Sequence, residues 1–591
     1  MGRTALALLC VLVAAPAAQA AERPAKLTPS QFSPSRKTEP RLTEEQARAI
    51  ALEHGKIADW LGRYPRRGRS YETTFDRKAG SWTVKVWWGE AGQVVLARVE
   101  DGTSVVLEAW TGPQVAWKMA RGYDGAFGGK TINSPLVWLV LCGAFLLGLA
   151  DLRRPLSVRN LDLLVLLSFS VSLWFFNRGE IFWSVPLAYP PLLYLLVRTV
   201  WIARSGGQRA SRPIWPVWVL ACAAVFLAGF RIGLNVQASN VIDVGYAGVI
   251  GAHRIASGEA PYGHMPVQDG RKPCGQADAE GEIRNRIQAN GRCEGSNERG
   301  DTYGPAAYAA YVPGYLLFGW SGKWDELPAA HFTSIAFDLL CLIGLALVGR
   351  RFGGARLAVT LAFAWAAYPF TQYVSSSNTN DAILPAFLIW GFWLASAAPA
   401  RGAFVALAGW AKFAALLLAP LWLSYPERPP LRGLLARRPL GFAVGFAAAT
   451  LASFSVLLLE PDPLHAVGVF WERTLGWQIG RESPFSIWDW RQYHAGLPDL
   501  HIAQLLLEAL LVLGALGAFF WPRRKSPLQL AALTAALLIG FELVLTHWFY
   551  LYIPWFFPFV AIAILAGAPA RPFAAREATP ERETRELVHA G

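Results

Sequence analysis

One acidic residue, Asp243, lies in a polar stretch at residues 240–263, directly after a long apolar segment that ends near Asn235. A carboxylate in this position could accept a proton from a hydroxyl group or hold a divalent cation. An aspartate placed before residues 244–255 would also cap a helix well. The residues alone therefore leave two interpretations of Asp243 open, a reacting or metal-binding carboxylate and a helix N-cap.

A single basic residue, Lys412, lies near the middle of an apolar stretch at residues 402–424. An ionisable group inside such a segment is costly to bury and usually has a partner of opposite charge. We therefore treat Lys412 as a functional candidate that requires an anion.

Two arginines, Arg473 and Arg481, occupy a polar region at residues 460–501. The planar guanidinium group can bind two phosphate oxygens at once, so these residues could hold a phosphorylated ligand. Ion pairs with the neighbouring Glu472 and Glu482 would account for them equally well. Both interpretations stay open.

Aromatic residues accompany these charges. Tyr262 and Tyr303 lie in the polar region that begins at residue 240, where their rings would suit stacking on sugar faces. Tyrosine and tryptophan also form ordinary belts at membrane interfaces, which is the simpler explanation for most of the aromatic residues here.

The composition indicates the setting of these residues. Of the 591 residues, 53% are hydrophobic and only 16% are charged, which is too apolar for an ordinary soluble enzyme. After Pro135, stretches of about 18 or more apolar residues recur, each long enough to cross a hydrocarbon core of about 30 Å. The net charge of +13 comes with arginine clusters between these stretches, as at Arg153-Arg154 and Arg350-Arg351. That placement is typical of cytoplasmic loops, so we do not expect nucleic acid as a partner.

The apolar stretches and their flanking charges predict a mostly α polytopic membrane protein. We expect about eleven membrane-spanning helices, near residues 135–151, 158–176, 181–203, 213–234, 330–349, 357–376, 381–398, 439–459, 502–521, 527–545 and 548–567. Residues 402–424 break the alternation, because arginines on both sides favour the cytoplasm. A re-entrant hairpin with Lys412 near its tip satisfies both ends.

The chain also divides into regions of different composition. Residues 1–20 resemble a secretory signal peptide, and residues 21–42 form a polar linker. Residues 43–125 predict a small extracytoplasmic α+β domain, residues 135–567 the polytopic domain, and residues 568–591 a cytoplasmic tail. The protein is thus expected in the cytoplasmic membrane, with its larger polar loops outside.

The α+β domain has clear local signals. Thr43 and Gln46 form a capping-box pattern at the start of an amphipathic helix that extends to Leu61. Four alternating strands follow at residues 71–76, 82–88, 94–99 and 105–110, with an Asp-Gly turn at residues 101–102. Residues 43–112 resemble a PepSY-type domain, which implies a binding or regulatory appendage.

Cysteines fall into two groups. Cys142, Cys222 and Cys341 lie inside apolar segments and are expected to be packing residues. Cys274 and Cys293 share one predicted extracytoplasmic loop, in which a disulfide can persist, so we expect them to be bonded.

Several short motifs occur in a characteristic order. They are NVIDVGYAGVIGAHRIASGEAPYG at 240–263, DTYGPAAYAAYVPGY at 301–315, SNTND at 377–381, the hairpin at 402–424, TLGWQIGRESPFSIW at 474–488 and HWFYLYIPW at 547–555. Together they resemble glycosyltransferase family 87, over about residues 213–567. This family comprises integral membrane glycosyltransferases of the GT-C type that use polyprenyl-phosphate sugars.

The resemblance implies a site. Asp243 would be the general base, and Lys412, Arg481 and His547 would surround the phosphate of the donor. A divalent cation stays open as a cofactor: Asp243 has no adjacent second acid, and Asp301 is the nearest one by motif. The other residues implied to bind substrate are Tyr246, Tyr262, Asp301, Tyr303, Asn378, Asn380, Asp381, Arg473, Gln478 and Tyr550.

The implied activity is inverting transfer of a hexose or pentose to a glycan, lipid or protein acceptor at the outer face of the membrane. Two other classes of function are compatible with such a chain. A transporter or flippase of lipid-linked glycans could use the same helices, although no internal repeat is visible. A non-catalytic envelope sensor could use the exported domain, but it would leave Asp243, Lys412 and Arg481 without a joint role.

Overall fold

The computed structural model describes most of the chain, and the predicted signal peptide, most of the predicted linker and the tail lie outside the described part. The described residues are 40–567 except 78, 89–92, 113–114, 116–124, 207–213, 267–270, 277–282, 284, 289–290, 292, 296, 298, 325–326, 434–435, 482 and 494–496. The structure is mostly helical, with 66% helix and 8% strand, which confirms the prediction of a mostly α protein.

The N-terminal module contains two helices on a four-stranded antiparallel sheet. The helices are Glu44–Glu53 (α1) and Gly55–Leu61 (α2), and the strands, in spatial order, are Arg69–Asp76 (β1), Ser81–Trp88 (β2), Gln93–Glu100 (β3) and Val106–Thr111 (β4). The capping box predicted at Thr43 is present, with the side chains and backbones of Thr43 and Gln46 bonded reciprocally. The single helix predicted from this cap is wrong, because extended backbone at His54 divides it in two.

The rest of the chain is a bundle of helices with short elements in its loops. The helices are Gly129–Asn133 (α3), Pro135–Leu149 (α4), Val158–Phe176 (α5), Ile181–Ser205 (α6), Val217–Ala238 (α7), Asp243–Ala256 (α8), Pro305–Ala309 (α9), Val312–Phe318 (α10), Pro328–Ala367 (α11), Pro369–Ser377 (α12), Ile383–Trp393 (α13), Ala398–Ala411 (α14), Ala419–Leu423 (α15), Arg437–Phe454 (α16), Pro463–Trp471 (α17), Trp477–Ile479 (α18), His501–Phe520 (α19), Pro527–Val544 (α20) and Ile553–Leu565 (α21). Two short strands, Asn285–Ile287 (β5) and Cys293–Gly295 (β6), pair beside the bonded cysteines Cys274 and Cys293.

Among the described residues, seven helices are long and apolar enough to cross a membrane: α5, α6, α7, α11, α16 with the turn that follows it, α19 and α20. Four of the predicted spans are shorter or divided: those at 135–151, 357–376, 381–398 and 548–567. The segment Pro328–Ala367 consists of two helices that meet at Gly354, whose backbone is non-helical (φ 74°, ψ −169°). The chain folds back there, since the Trp365 indole N–H donates a hydrogen bond of 2.9 Å to Asp338, so the predicted spans at 330–349 and 357–376 are separate helices. The second of them ends at Ala367, and Pro369 begins a new helix. The segment predicted at 381–398 is helical only over α13.

Residues 402–424 form a hairpin. The α14 helix ends at Lys412, whose backbone is extended (φ −141°, ψ 117°), and the chain continues as a 3₁₀ helix, Phe413–Leu418, and then α15. At the open end, the Arg401 Nε donates a hydrogen bond of 2.8 Å to the carbonyl of Trp422. The guanidinium group also lies 5.6 Å from the Tyr425 ring centre. Because both ends of the segment meet, the chain reverses direction at Lys412.

The arginine-rich loops that were predicted to share one side of the membrane contact one another. Arg428 donates its backbone N–H to the carbonyl of Arg523 at 2.9 Å, and Arg351 donates to the Ser396 hydroxyl at 2.9 Å. Gln529, at the start of α20, donates to the carbonyl of Ala203 near the end of α6 at 2.9 Å. These contacts gather the predicted cytoplasmic loops at one end of the bundle.

Cysteine labelling tests this orientation. In a background without free cysteines, Gly102→Cys and Gly480→Cys should react with a membrane-impermeant maleimide in intact cells, because both positions are exposed on the predicted outer side. Ala355→Cys and Ser205→Cys are also exposed but lie at the opposite end, and they should react only after the cells are opened. Labelling of Ala355→Cys together with protection of Gly102→Cys would reverse the proposed orientation.

Candidate functional site

A cavity of about 460 Å³ lies where the N-terminus of α8 meets the tip of the 398–423 hairpin and residues 475–481. Seven residues predicted for the site line it: Asp243, Tyr303, Asp381, Lys412, Gln478, Arg481 and His547. They come from six separate segments of the chain, so the fold brings together residues that are far apart in the sequence.

Asp243 lies in the first turn of α8. The N-cap of this helix is Ile242, whose backbone is extended, and Asp243 is the first residue within the helix. The N-cap interpretation of Asp243 is therefore wrong by one position. The helix N-terminus still favours a negative charge, because its unpaired N–H groups carry a partial positive charge. The structure thus places the Asp243 carboxyl group at the wall of the cavity.

A network of side-chain amides holds the backbone before Asp243. Asn378, which has a left-handed backbone (φ 51°), donates hydrogen bonds of 2.8 Å to the Asn240 carbonyl and 2.9 Å to the Ser239 hydroxyl. Asn235 donates to the Asn378 Oδ1 at 2.8 Å. Asn378 therefore positions the segment that carries Asp243, and it does not itself line the cavity. The predicted Asn380 is buried beside it and is also outside the lining.

Lys412 and Asp381 form an ion pair in the cavity wall. The Lys412 Nζ is 2.9 Å from the Asp381 Oδ1, and the two side chains are 8% and 1% exposed. The Trp555 indole N–H donates to the same carboxylate at 3.2 Å. The Tyr303 ring centre lies 4.5 Å from the Lys412 Nζ, close enough for a cation–π contact. Asp381 is thus the anion that a buried Lys412 requires.

The part of the cavity that contains these charged groups is its polar end. It is also lined by Arg481, Gln478 and His547. The His547 Nδ1 and the Ser483 hydroxyl are 2.9 Å apart, which fixes the imidazole ring. Within the described part of the chain, no carboxylate lies within 4.0 Å of the Arg481 guanidinium. Unlike Lys412, Arg481 therefore brings a positive charge that no described carboxylate neutralises at short range.

Tyr303 is in the electrostatic field of these charges. Its pKa is raised well above the ordinary value, first by burial and then by the negative charges of Asp243 and Asp381, while Arg481 acts in the opposite direction. The phenol is consequently neutral, and its hydroxyl is available as a hydrogen-bond donor. Asp243, Asp381 and Arg481 line the same cavity as Tyr303.

Asp301 and Arg473 pair with each other outside the lining. The Arg473 Nη2 and Nε are 2.6 Å and 2.7 Å from the two carboxylate oxygens of Asp301, which also accepts the Gly263 backbone N–H at 2.9 Å. Both oxygens of Asp301 are therefore engaged away from Asp243. Among the described residues, no group of three or more His, Cys, Asp or Glu side chains could hold a metal ion.

Three predicted tyrosines also lie outside the lining. The Tyr246 ring is 4.2 Å from the Trp324 ring, the Tyr262 hydroxyl donates to the Tyr303 carbonyl at 2.9 Å, and the Tyr550 hydroxyl is 2.6 Å from the Ser172 hydroxyl. These contacts support loops and helices around the cavity. None of the three rings faces the space where a ligand would bind.

Comparison with family models, with curated proteins and with solved structures gives no match for this chain. The two family resemblances in the sequence therefore stay predictions. The chemistry of the site follows from its geometry alone.

The opposite end of the cavity is apolar. Its walls come from the 3₁₀ segment after Lys412, from α19 and from α20, and include Leu417, Leu511, Val512, Phe541 and Val544. Of the seven long helices, α19 is the least buried, with only 17% of its most apolar stretch covered by protein. The apolar end is thus bounded by a helix whose other faces are mostly not covered by the described protein. The cavity suits a ligand with an anionic group at one end and a hydrocarbon chain at the other.

Sequence reasoning missed Glu508, Tyr552 and Trp555, which also line the cavity. Glu508 could have been found, since it is the only acidic residue in the otherwise apolar stretch that forms α19, and such residues are functional candidates. Tyr552 and Trp555 lie within the motif at 547–555, but nothing in their residue types separates them from Tyr550, which is turned away.

The Lys412–Asp381 pair makes a prediction about stability. Lys412→Met should strongly destabilise the protein, by about 3–5 kcal/mol, because it leaves Asp381 buried and charged without a partner. The double variant Lys412→Met/Asp381→Asn should recover much of this loss, since the asparagine oxygen can still accept the Trp555 N–H. Thermal unfolding of the detergent-purified protein, followed by size-exclusion fluorescence, measures the difference. A double variant that is no more stable than Lys412→Met would contradict this role of the pair.

Proposed function

We propose that the protein is an integral membrane glycosyltransferase that moves a sugar from a polyprenyl-phosphate donor to an acceptor hydroxyl at the outer face of the cytoplasmic membrane. One observation carries the proposal: a single cavity joins a polar end, with Asp243, Lys412 and Arg481, to an apolar end between α19 and α20. A lipid-linked sugar phosphate has the same two parts. A non-catalytic sensor would not require this arrangement.

The phosphate of the donor would lie between Arg481 and Lys412. Arg481 is the stronger candidate for direct binding, because no described carboxylate lies within salt-bridge distance and its guanidinium can bind two oxygens. Lys412 already contacts Asp381 and contributes mainly a local positive potential. The hydrocarbon chain would follow Leu417 and Leu511 towards the exposed side of α19.

Asp243 would act as the general base. In the proposed step, its carboxylate takes the proton of an acceptor hydroxyl, and the oxygen attacks the anomeric carbon of the donor sugar. The bond between this carbon and the phosphate oxygen breaks, and its electron pair remains on the phosphate. Arg481 and Lys412 stabilise the charge that develops there, in a site poor in water. Attack from the side opposite the phosphate inverts the anomeric centre.

The architecture proposed for this activity is of the GT-C type. It has about eleven membrane-spanning helices and a re-entrant hairpin whose tip, Lys412, reaches the outward-facing site. The contacts among the arginine-rich loops at the other end of the bundle support this orientation. The N-terminal module, with its PepSY-like sequence, then lies outside. The acceptor is a glycan, a lipid or a protein, and the donor sugar is a hexose or a pentose.

Asp243→Asn tests the general base. The amide has the shape of the carboxylate but cannot take the proton, so turnover should fall by about 10²–10⁴-fold while the donor still binds. Membranes carrying either protein would be supplied with labelled polyprenyl-phosphate sugars, and incorporation into the acceptor fraction would be measured. A fully active Asp243→Asn protein would exclude this mechanism. Transport of the label without formation of a new glycosidic bond would indicate a flippase instead.

Arg481→Met tests donor binding. Loss of a charge-assisted contact to phosphate should weaken binding by about tenfold to a hundredfold. Arg491→Met is a matched control, because Arg491 lies in the same loop but pairs with the exposed Asp499 away from the cavity. Binding of polyprenyl phosphate to the purified protein would be compared among wild type and the two variants. Equal losses in both variants would show a general charge effect and refute a specific role for Arg481.

A further inference from the structure

The N-terminal module is attached to the outer loop that precedes α19. The backbone N–H of Ala109, in β4, donates a hydrogen bond of 3.0 Å to the carbonyl of Tyr493. The Trp110 ring lies 5.8 Å from the Tyr493 ring, and both residues are fully buried. The Lys56 Nζ, from α2, lies 3.4 Å from the centre of the same ring. Tyr493 is therefore enclosed by the helix and the sheet of the module.

Tyr493 closes a compact loop. Its backbone N–H donates to the Trp490 carbonyl at 2.9 Å, and the Trp490 indole N–H donates to the Pro484 carbonyl at 2.9 Å. The Asp489 carboxylate accepts the Ser483 backbone N–H at 2.8 Å. These bonds connect the Tyr493 end of the loop to its beginning at Ser483.

The beginning of the loop contacts the cavity. The Ser483 hydroxyl is hydrogen-bonded to the ring of His547, and the Phe485 ring packs against the same imidazole at 5.3 Å. Arg481 lies two residues before Ser483, and both Arg481 and His547 line the cavity. A continuous path of contacts therefore extends from the exported module through Tyr493 to the polar end of the site.

A second attachment lies beside Asp243. The Asn240 side-chain amide donates to the carbonyls of Gly125 and Ala126, at 3.3 Å and 3.1 Å. The next residue, Phe127, lines the cavity and packs against Phe549 at 4.8 Å. The segment that follows the module is thus bonded close to Asp243, the proposed general base.

We propose that the module positions the polar end of the cavity, and that Tyr493, held by Lys56 and Trp110, is the positioning residue through which it acts on Arg481 and His547. This inference rests on the proposed function, because it assigns the module to donor binding. The loop from 481 to 493 contains one 3₁₀ turn, Trp490–Gln492, and little other regular structure. Its geometry therefore depends on its contacts, and loosening Tyr493 should weaken donor binding while the walls that carry Asp243 and Lys412 keep their place.

The experiment uses the full-length protein in phosphatidylcholine nanodiscs, with undecaprenyl phosphate as the probe. Lys56→Met removes the cation but keeps the aliphatic stem, and Tyr493→Ala removes the enclosed ring. Both should increase amide hydrogen exchange in peptides from 483–493 and weaken probe binding by about fivefold or more, the order of one buried cation–π contact. Tyr493→Phe keeps the ring and its contact with Lys56, so it should lose less than Tyr493→Ala in both measurements.

Lys85→Met is the matched control, since Lys85 lies in the sheet of the same module and pairs with the exposed Glu72. It should change neither measurement. If Tyr493→Ala does not fold, Lys56→Met carries the test alone. Faster exchange in the loop with unchanged probe binding would overturn the proposal, and so would unchanged exchange in Lys56→Met. Wild-type protein that binds no probe would instead overturn the proposed function, and the exchange data would then still show whether the module holds the loop.

Discussion

The burial of Lys412 constrains much of the surrounding structure. An ammonium group in an apolar bundle is tolerated only beside a negative charge, and Asp381 supplies that charge at 2.9 Å. The backbone contributes as well, because Lys412 follows the last residue of α14, where the carbonyl groups at the helix C-terminus favour a cation. Asp243 has the opposite relation to α8, as a carboxylate in the first turn of a helix. Two helix ends of opposite polarity therefore meet at one cavity, each with the side-chain charge that it favours.

Ion pairs and amides around the cavity connect parts of the chain that are far apart in sequence. Asp301 and Arg473 join two loops through a bidentate pair. Asn378 joins the end of α12 to the segment before Asp243. Since buried charges and amides lose much free energy when one partner is absent, these contacts favour one arrangement of the loops. The positions of Asp243 and Tyr303 thus depend on residues that do not touch the cavity.

The sequence indicated which residues belong to the site more accurately than it indicated which residues they contact. Lys412 and Asp243 were recognisable because a charge beside or inside an apolar segment needs an explanation, and that explanation does not depend on the rest of the fold. Arg473 and Arg481 looked alike in sequence, but Arg473 binds Asp301, 172 residues away, and only Arg481 lines the cavity. Periodicity and loop charge carry no information about such distant pairs. The strands of the N-terminal module and the start of its first helix were predicted well, since the capping box at Thr43 and the alternating strands are local signals.

The charged groups of the cavity differ in how they are held. Asp243, Asp381 and Lys412 are fixed by helix ends and by partners inside the bundle. Arg481 and His547 depend on a loop with few backbone hydrogen bonds of its own, which the N-terminal module encloses at Tyr493. In the proposed reaction, a rigidly held Asp243 beside a separately supported Arg481 would allow proton transfer and phosphate binding to be adjusted independently. In this proposal the module influences the site without lining the cavity, because the contacts that order the loop come from the module.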